Sequence, residues 1–192
     1  MIAIINYDSE GSKIISDLLD SSSIEHEITN NEKTICRADR IILPDCENVK
    51  KVSKKIQLYN LTSVIKMLKK PILGLYRGGL LMSENVNVDK LPGFGFFKNV
   101  ETVDLPYETK NNSKLEIVEN ITSNVLKNNS YTLMNGTSQI LIHHTELTSF
   151  TTMHDGHHYS GIIEKNNFIA VYFDILNNQK IASELLANFN SL

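Results

Sequence analysis

The chain has 192 residues, a formal net charge of −3, 41% hydrophobic residues and 21% charged residues. This composition is typical of a folded globular domain and excludes a largely disordered or collagen-like chain. The chain is slightly acidic, whereas nucleic-acid-binding proteins usually carry an excess of basic residues. No apolar run approaches the roughly 18 residues of a membrane span. We therefore expect a single domain over residues 1–192, with neither nucleic acid nor membrane as a partner.

The first half of the chain alternates between apolar strand-like runs and helix-like segments. Strands are predicted at 2–6, 25–29, 40–44 and 71–75, and helices at 12–19 and 56–69. Because the central strand-like runs are continuously apolar, the pattern indicates a parallel sheet covered on both faces. The first run is too short for a signal-peptide core, and the two cysteines have no metal or redox spacing. A reduced, cytoplasmic protein is expected.

The second half of the chain is rich in strand-like runs and hairpin turns. Strands are predicted at 99–105, 138–143, 147–153, 159–164 and 168–173, a loop at 109–113, and a closing helix at 179–189. The turn sequences His154-Asp155-Gly156 and Lys165-Asn166-Asn167 indicate antiparallel hairpins. The two halves together predict an α/β protein whose C-terminal half adds antiparallel strands.

A glycine-rich turn follows the predicted strand at 71–75. It reads Gly74-Leu75-Tyr76-Arg77-Gly78-Gly79 and precedes an apolar segment, which is a strand–tight turn–helix layout. Small neighbours allow such a turn to pack closely, and the residue at its apex is expected to project over the sheet edge. That residue is Tyr76 here. An ordinary glycine-rich connection between strand and helix also fits these residues.

Five segments resemble class I glutamine amidotransferases, in order and at family-like spacing. They are MIAIINY (1–7), ADRIILP (38–44), PILGLYRGGLLMSE (71–84), LPGFGFFKNV (91–100) and GIIEKNNFIAVYF (161–173). Within that family the chain is most similar to the glutaminase subunits of imidazole glycerol phosphate synthase. The resemblance implies a flavodoxin-like three-layer α/β/α sandwich over nearly the whole chain.

The family's Cys-His-Glu triad is replaced at all three matching positions. The elbow cysteine corresponds to Tyr76, the histidine to Asp174 and the glutamate to Leu176. In the family the cysteine attacks the glutamine amide, the histidine shuttles protons and the glutamate orients the histidine. Because losing a nucleophile or its base removes on the order of a million-fold in rate, we expect no triad-type glutaminase activity.

The resemblance also places other residues around a vestigial pocket: Asp45, Cys46, Arg77, Gly78, Leu80 and Tyr172. Leu80 stands where the family has glutamine, and Asp45-Cys46-Glu47 replaces its glycine-rich oxyanion loop. Arg77 is expected to pair with an internal acid (Asp45, Glu47 or Asp174) or, alternatively, to bind a carboxylate or phosphate. Cys46 is expected to be a small buried thiol rather than a relocated nucleophile.

Five of the six histidines lie between residues 143 and 158. Neighbouring residues in a strand point to opposite faces, so only one histidine of each adjacent pair can join a common site. His143, His154 and His157 are thus weak candidates for a metal site. A polar, solvent-facing hairpin is the favoured interpretation, and no metal or cofactor is expected.

Three functional hypotheses remain open at this stage. The favoured one is a catalytically degenerate amidotransferase-like subunit, a pseudoenzyme that docks on a (β/α)8-barrel synthase of the kind used in histidine biosynthesis and forms a hetero-oligomer with it. The second is a small-molecule binding module or an enzyme of altered chemistry around Cys46, Tyr76, Arg77 and Asp174, with an unknown ligand. The third is a glutaminase that uses unconventional residues.

Overall fold

The computed structural model of the chain describes residues 1–86, 91–100, 108–110, 116–128, 130–133 and 137–192. The strands are β1 Ile2–Ile5, β2 His26–Thr29, β3 Arg40–Leu43, β4 Ile72–Leu75, β5 Asn85–Val86, β6 Leu91–Pro92, β7 Glu108–Lys110, β8 Glu116–Asn120, β9 Tyr131–Thr132, β10 Ser138–Ile140, β11 Thr148–His154, β12 His157–Lys165 and β13 Phe168–Val171. The helices are α1 Glu10–Ser21, α2 Glu32–Arg37, α3 Val49–Leu58, α4 Leu61–Met67, α5 Arg77–Leu80 and α6 Gln179–Asn190.

Within the described residues, nine strands form one mixed sheet in the order β2-β1-β3-β4-β13-β12-β11-β8-β9. The first five of these strands run parallel, which confirms the predicted parallel core. Strands β1 and β4 are buried along their whole length because helices cover both faces of the sheet. Helices α1 and α6 contribute to the apolar cluster on one face, and α2, α3 and α4 to that on the other. The fold is therefore the three-layer sandwich that the resemblance implies.

The other half of the sheet is antiparallel, as predicted. Strand β12 pairs with β11 on one side and with β13 on the other. The first connecting turn places Asp155 and Gly156 at positive φ, 48° and 76°, as a tight hairpin turn requires. Asn166, in the second turn, also has a positive φ of 54°. Both predicted turns are thus confirmed by backbone geometry.

The predicted helix at 56–69 is wrong, because two helices occupy this region. Helix α3 begins earlier, where the Asn48 side chain accepts a hydrogen bond from the Lys51 N–H at 2.9 Å. It ends before Asn60, whose φ of 56° breaks the helical path, and α4 follows. The sequence analysis also missed α2, a short helix capped by Asn31, which accepts from Lys33 and Thr34.

Three other predictions for the second half need correction or fall outside the described residues. The strand predicted at 138–143 shortens to β10, which pairs with β7 in a separate two-stranded sheet. Thr109 and Lys110 lie in β7 rather than in a loop, and 111–113 lie outside the described residues. The strand predicted at 99–105 does not begin at Asn99, which has a φ of 56°, and 101–105 lie outside the described residues.

In the part of the chain that the structure describes, no helix is both long and apolar enough to cross a membrane.

Candidate functional site

The turn after β4 has the backbone of a nucleophile elbow. Tyr76 stands between β4 and α5 at φ 50° and ψ −113°, a conformation that costs a bulky residue about 1–3 kcal/mol. Its N–H donates to the Val171 carbonyl at 2.7 Å, and its carbonyl accepts from the Gly79 N–H at 3.0 Å. The strained residue is therefore held by backbone contacts on both sides.

Glycines allow this elbow to pack against the neighbouring strands. A Cβ atom on Gly78 would lie 2.3 Å from the Leu43 carbonyl oxygen and 2.4 Å from that of Pro44. A Cβ on Gly74 would lie 2.8 Å from the Cα of Gly79. Because these neighbours are backbone atoms, side chains are excluded by sterics alone. The close turn is thus a packing requirement whatever residue occupies its apex.

The Tyr76 side chain does not project over the sheet edge, contrary to the expectation from the turn. Only 3% of Tyr76 is exposed, because its ring packs within the apolar cluster beneath α3 and α5. The Arg77 guanidinium carbon lies 4.6 Å from the centre of this ring, a cation–π distance. The apex therefore presents a covered aromatic ring instead of an accessible nucleophile.

Arg77 forms the internal ion pair that the sequence favoured. Its Nη1 donates to both carboxylate oxygens of Asp45, at 3.0 and 3.2 Å. Its backbone N–H also donates to Asp45 Oδ1 at 3.2 Å, and Nη1 approaches the Cys46 carbonyl oxygen at 3.4 Å. These contacts connect the turn after β3 to the elbow. They also mean that the Arg77 guanidinium is paired with the Asp45 carboxylate.

Two carboxylates face this single guanidinium. Burial raises the pKa of Asp45 above its usual value, although the Arg77 charge and hydrogen bonds from Cys46 and Arg77 oppose that change. Burial also raises the pKa of Asp174, opposed by backbone hydrogen bonds, the Arg77 charge and Asn177. The Asn177 amide donates to Asp174 Oδ2 at 2.6 Å. The ion pair with Arg77 does not fully compensate the desolvation of Asp45, and the hydrogen bonds and the Arg77 charge do not fully compensate that of Asp174.

The other pocket residues named by the resemblance are mostly buried. Cys46, Leu80 and Tyr172 are between 1% and 3% exposed, and burial raises the pKa of the Tyr172 phenol further above its usual value. Leu176 is 8% exposed and packs in the apolar cluster on the face of α1 and α6. These side chains fill the region around the elbow.

An open cavity of about 210 Å³ remains beside the elbow, and we call it the elbow cavity. It brings together residues from three loops of the carboxyl edge, among them Asp45, Cys46, Glu47, Asp174 and Leu176. No histidine is among its described lining residues, so the Cys46 thiol has no imidazole base there. The acidic lining disfavours anions.

The histidine-rich hairpin gives no metal site among the described residues. His154 faces His157 across the turn after β11 and lies 3.4 Å from the Asp155 carboxylate. His143 and His157 are exposed. No three His, Cys, Asp or Glu side chains come close enough to hold an ion in the described ranges. The weak candidate site at His143, His154 and His157 thus finds no support.

One notable residue escaped the sequence analysis. Tyr7 is 7% exposed, and its hydroxyl oxygen is buried without a hydrogen-bond partner among the described residues. It lies just beyond the end of β1, within the segment MIAIINY that carries the resemblance. A tyrosine at the carboxyl end of a parallel strand was the available signal.

Comparison with known protein sequences shows similarity to subunits of one synthase. No family model matches the chain. The imidazole glycerol phosphate synthase subunit HisH of Listeria welshimeri is 34% identical over 90 residues, which are 45% of this chain and 43% of that protein. The subunits HisH 2 and HisH 1 of Methanococcus maripaludis are 22% and 26% identical, over 98% and 100% of both chains. The sequence resemblance is therefore confirmed, at low identity.

Solved structures support the fold. A structure described as a glutamine amidotransferase has a TM-score of 0.70 at 10% identity and covers 99% of this chain and 100% of its own. The structure of PurLQS from Thermotoga maritima has a TM-score of 0.62 at 12% identity, covering 99% of this chain and 97% of its own. The chain thus has the flavodoxin-like fold of class I glutamine amidotransferases.

Proposed function

We propose that the chain is a catalytically degenerate glutamine amidotransferase-like subunit. The observation that carries this proposal is the elbow itself, whose strained backbone holds a buried phenol. A glutaminase of this family needs an accessible thiolate at that apex. The backbone of the elbow is present, while the side chains around it are buried and packed against one another.

The chemistry of the neighbouring side chains supports the loss of activity. A tyrosine phenol has a pKa near 10 in water, and attack on an amide requires its ionised form or an adjacent base. By the resemblance, Asp174 and Leu176 stand where the family has its base and the residue that orients the base. Neither a carboxylate occupied by Asn177 nor a buried leucine performs those roles. We therefore propose that glutamine is not hydrolysed by a triad mechanism.

The relatives suggest what such a subunit does. They are named as subunits of imidazole glycerol phosphate synthase. We propose that this chain, as one domain over residues 1–192, docks in the cytoplasm on a (β/α)8-barrel synthase subunit of that kind. It would stabilise or regulate a synthase that uses free ammonia, in a reaction like that of histidine biosynthesis.

Docking is tested by mixing the purified chain with the barrel synthase subunit of the same organism. At micromolar concentrations we expect one peak in size-exclusion chromatography that contains both chains in a fixed ratio. Ammonia-dependent turnover of the synthase should then change when the chain is added, relative to an equal amount of serum albumin. Separate elution of the two proteins would contradict docking.

The elbow cavity favours a second candidate, a small-molecule binding module. Its lining carries Glu10, Asp45, Glu47 and Asp174, and Arg77 is already engaged by Asp45. A ligand held there would be cationic, because the acidic side chains repel carboxylates and phosphates. A shift in melting temperature with one member of a cationic metabolite panel, lost in Asp174→Asn, would favour this candidate over docking.

A further inference from the structure

The topology of the sheet marks a second place for a ligand, away from the elbow. Strands β1 and β3 are neighbours, but the connections that follow them diverge. Helix α1 follows β1 and packs on one face of the sheet, and α3 follows β3 and packs on the other. In open α/β sheets, ligands bind in the crevice outside the carboxyl ends of two such strands.

A cavity of about 140 Å³ occupies this crevice, and we call it the switch-point cavity. Tyr7 and Ser9 line it from the connection after β1, and Cys46, Asn48 and Lys51 from the turn after β3 and the first turn of α3. Since a water molecule occupies about 30 Å³ of liquid, the volume suits a group of a few non-hydrogen atoms.

The Tyr7 hydroxyl points to a missing partner. It is buried, and it forms no hydrogen bond with any described residue. Leaving a buried hydroxyl unsatisfied costs about 1–3 kcal/mol. Burial, together with the nearby Cys46 thiol, raises the Tyr7 pKa well above its usual value, so the phenol stays neutral and keeps its proton to donate. A bound acceptor would satisfy this group.

A lysine and the N-terminus of helix α3 at the cavity favour an oxyanion as that acceptor. Lys51 is exposed on the first turn of α3, where the positive end of the helix dipole adds to its charge. Two acids also line the cavity, Asp8 and Glu47. The Lys55 ammonium pairs with the Asp8 carboxylate and lowers its pKa, a change to which the Lys51 charge also contributes, and Glu47 is exposed. Lys51 is thus positioned to neutralise a bound anion.

We propose that the switch-point cavity binds a small oxyanion, the carboxylate or phosphate group of a metabolite, with Tyr7 donating a hydrogen bond and Lys51 supplying the charge. Tyr76, Arg77 and Asp174 do not line this cavity. The two cavities share Ser9, Cys46 and Glu47, so variants at Tyr7 and Lys51 address the switch-point cavity alone. The proposal goes beyond docking and does not depend on it.

The test is calorimetric titration of the purified chain with sodium phosphate and, separately, sodium acetate, at constant ionic strength. We expect saturable binding of at least one ion, and the ion that binds identifies the phosphate or carboxylate class. Tyr7→Phe should weaken binding about fivefold, the effect of one lost hydrogen bond. Lys51→Gln should weaken it at least as much.

Lys54→Gln is the matched control, because Lys54 is exposed on the same helix, outside the cavity lining, and the change alters net charge equally. It should leave binding unchanged within about twofold. Absence of saturable binding for both ions would overturn the proposal. So would an unchanged affinity in Tyr7→Phe, or an equal loss in Lys51→Gln and Lys54→Gln.

Discussion

Two crevices at the carboxyl edge of the same parallel sheet differ in how they are filled. At the elbow after β4, the Arg77 guanidinium bridges to Asp45 at 3.0 Å and lies over the Tyr76 ring. At the crevice between β1 and β3, a buried Tyr7 hydroxyl has no partner among the described residues. At the elbow the charged side chains thus pair within the protein, whereas the crevice between β1 and β3 is the place where we propose a bound anion.

At the elbow, the residues required by backbone packing differ from those that chemistry would require. Gly78 and Gly74 are required by close backbone contacts that do not depend on the residue at the apex. Tyr76 occupies a strained conformation although it is not an accessible nucleophile. The turn is therefore maintained by packing, and its geometry alone is no measure of activity.

The largest expected effect comes from Gly78→Ala. The new Cβ would lie within 2.4 Å of two backbone carbonyl oxygens, so the turns after β3 and β4 must separate. We expect a loss of about 3 kcal/mol or more in the free energy of unfolding, measured in urea. Gly156→Ala is the control, since its Cβ meets nothing within 4 Å and only the positive φ of 76° is unfavourable. It should cost about 1 kcal/mol, and equal losses would contradict the packed elbow.

Substitutions of Tyr76 separate burial from strain. Tyr76→Ala should cost about 3 kcal/mol, because it removes a buried ring and leaves a cavity. Tyr76→Gly removes the same ring but also relieves the positive φ of 50°. The glycine variant should therefore be more stable than the alanine variant by about 1 kcal/mol, the reverse of the usual order. The usual order in urea unfolding would show that the apex is unstrained.

The pH dependence of stability tests the charge balance at the elbow. Burial raises the Asp45 pKa, so protonation of Asp45 stabilises the folded state. This contribution to the free energy of unfolding is lost as pH rises through the folded pKa. As pH rises from about 4 through the folded pKa, wild type should lose stability relative to Asp45→Asn. Asp8→Asn is the control of opposite sign, because Lys55 lowers the Asp8 pKa. Its effect lies below a pH of about 4, where wild type should lose stability relative to Asp8→Asn as pH falls. A wild type that gains stability relative to Asp45→Asn as pH rises from about 4 would contradict the account.

The smallest expected effect is that of Tyr7→Phe on the free protein. Removing a buried hydroxyl without a partner should leave the free energy of unfolding unchanged or slightly raise it. Tyr131→Phe is a matched comparison, since the Tyr131 hydroxyl donates to Glu184 Oε1 at 2.5 Å. That variant should lose about 1 kcal/mol. A similar loss in Tyr7→Phe would mean that the Tyr7 hydroxyl is already satisfied.

Much of the fold follows from local patterns in the sequence. The apolar runs of β1, β3 and β4 and the glycine and asparagine turns around β12 predict their structures, since burial and positive φ demand those residue types. The break at Asn60 escaped prediction because apolar residues continue at helical spacing on both sides of it. The capping of α3 by Asn48 was also missed.

The candidate site was predicted less completely than the fold. The ion pair between Arg77 and Asp45 follows from their chemistry once the turns after β3 and β4 are adjacent. The burial of the Tyr76 ring depends on packing between distant segments, which the sequence of one turn does not contain. The switch-point cavity likewise forms between Tyr7 and Lys51, which belong to different connections.

The central claim, that this elbow does not hydrolyse glutamine, is tested most directly by measuring ammonia release. The chain would be incubated with glutamine in the presence of the barrel synthase subunit, beside the Tyr76→Ala variant. The account predicts that ammonia release stays at background and is the same for both proteins. Release above background that Tyr76→Ala abolishes would contradict it and would make Tyr76 part of an active glutaminase.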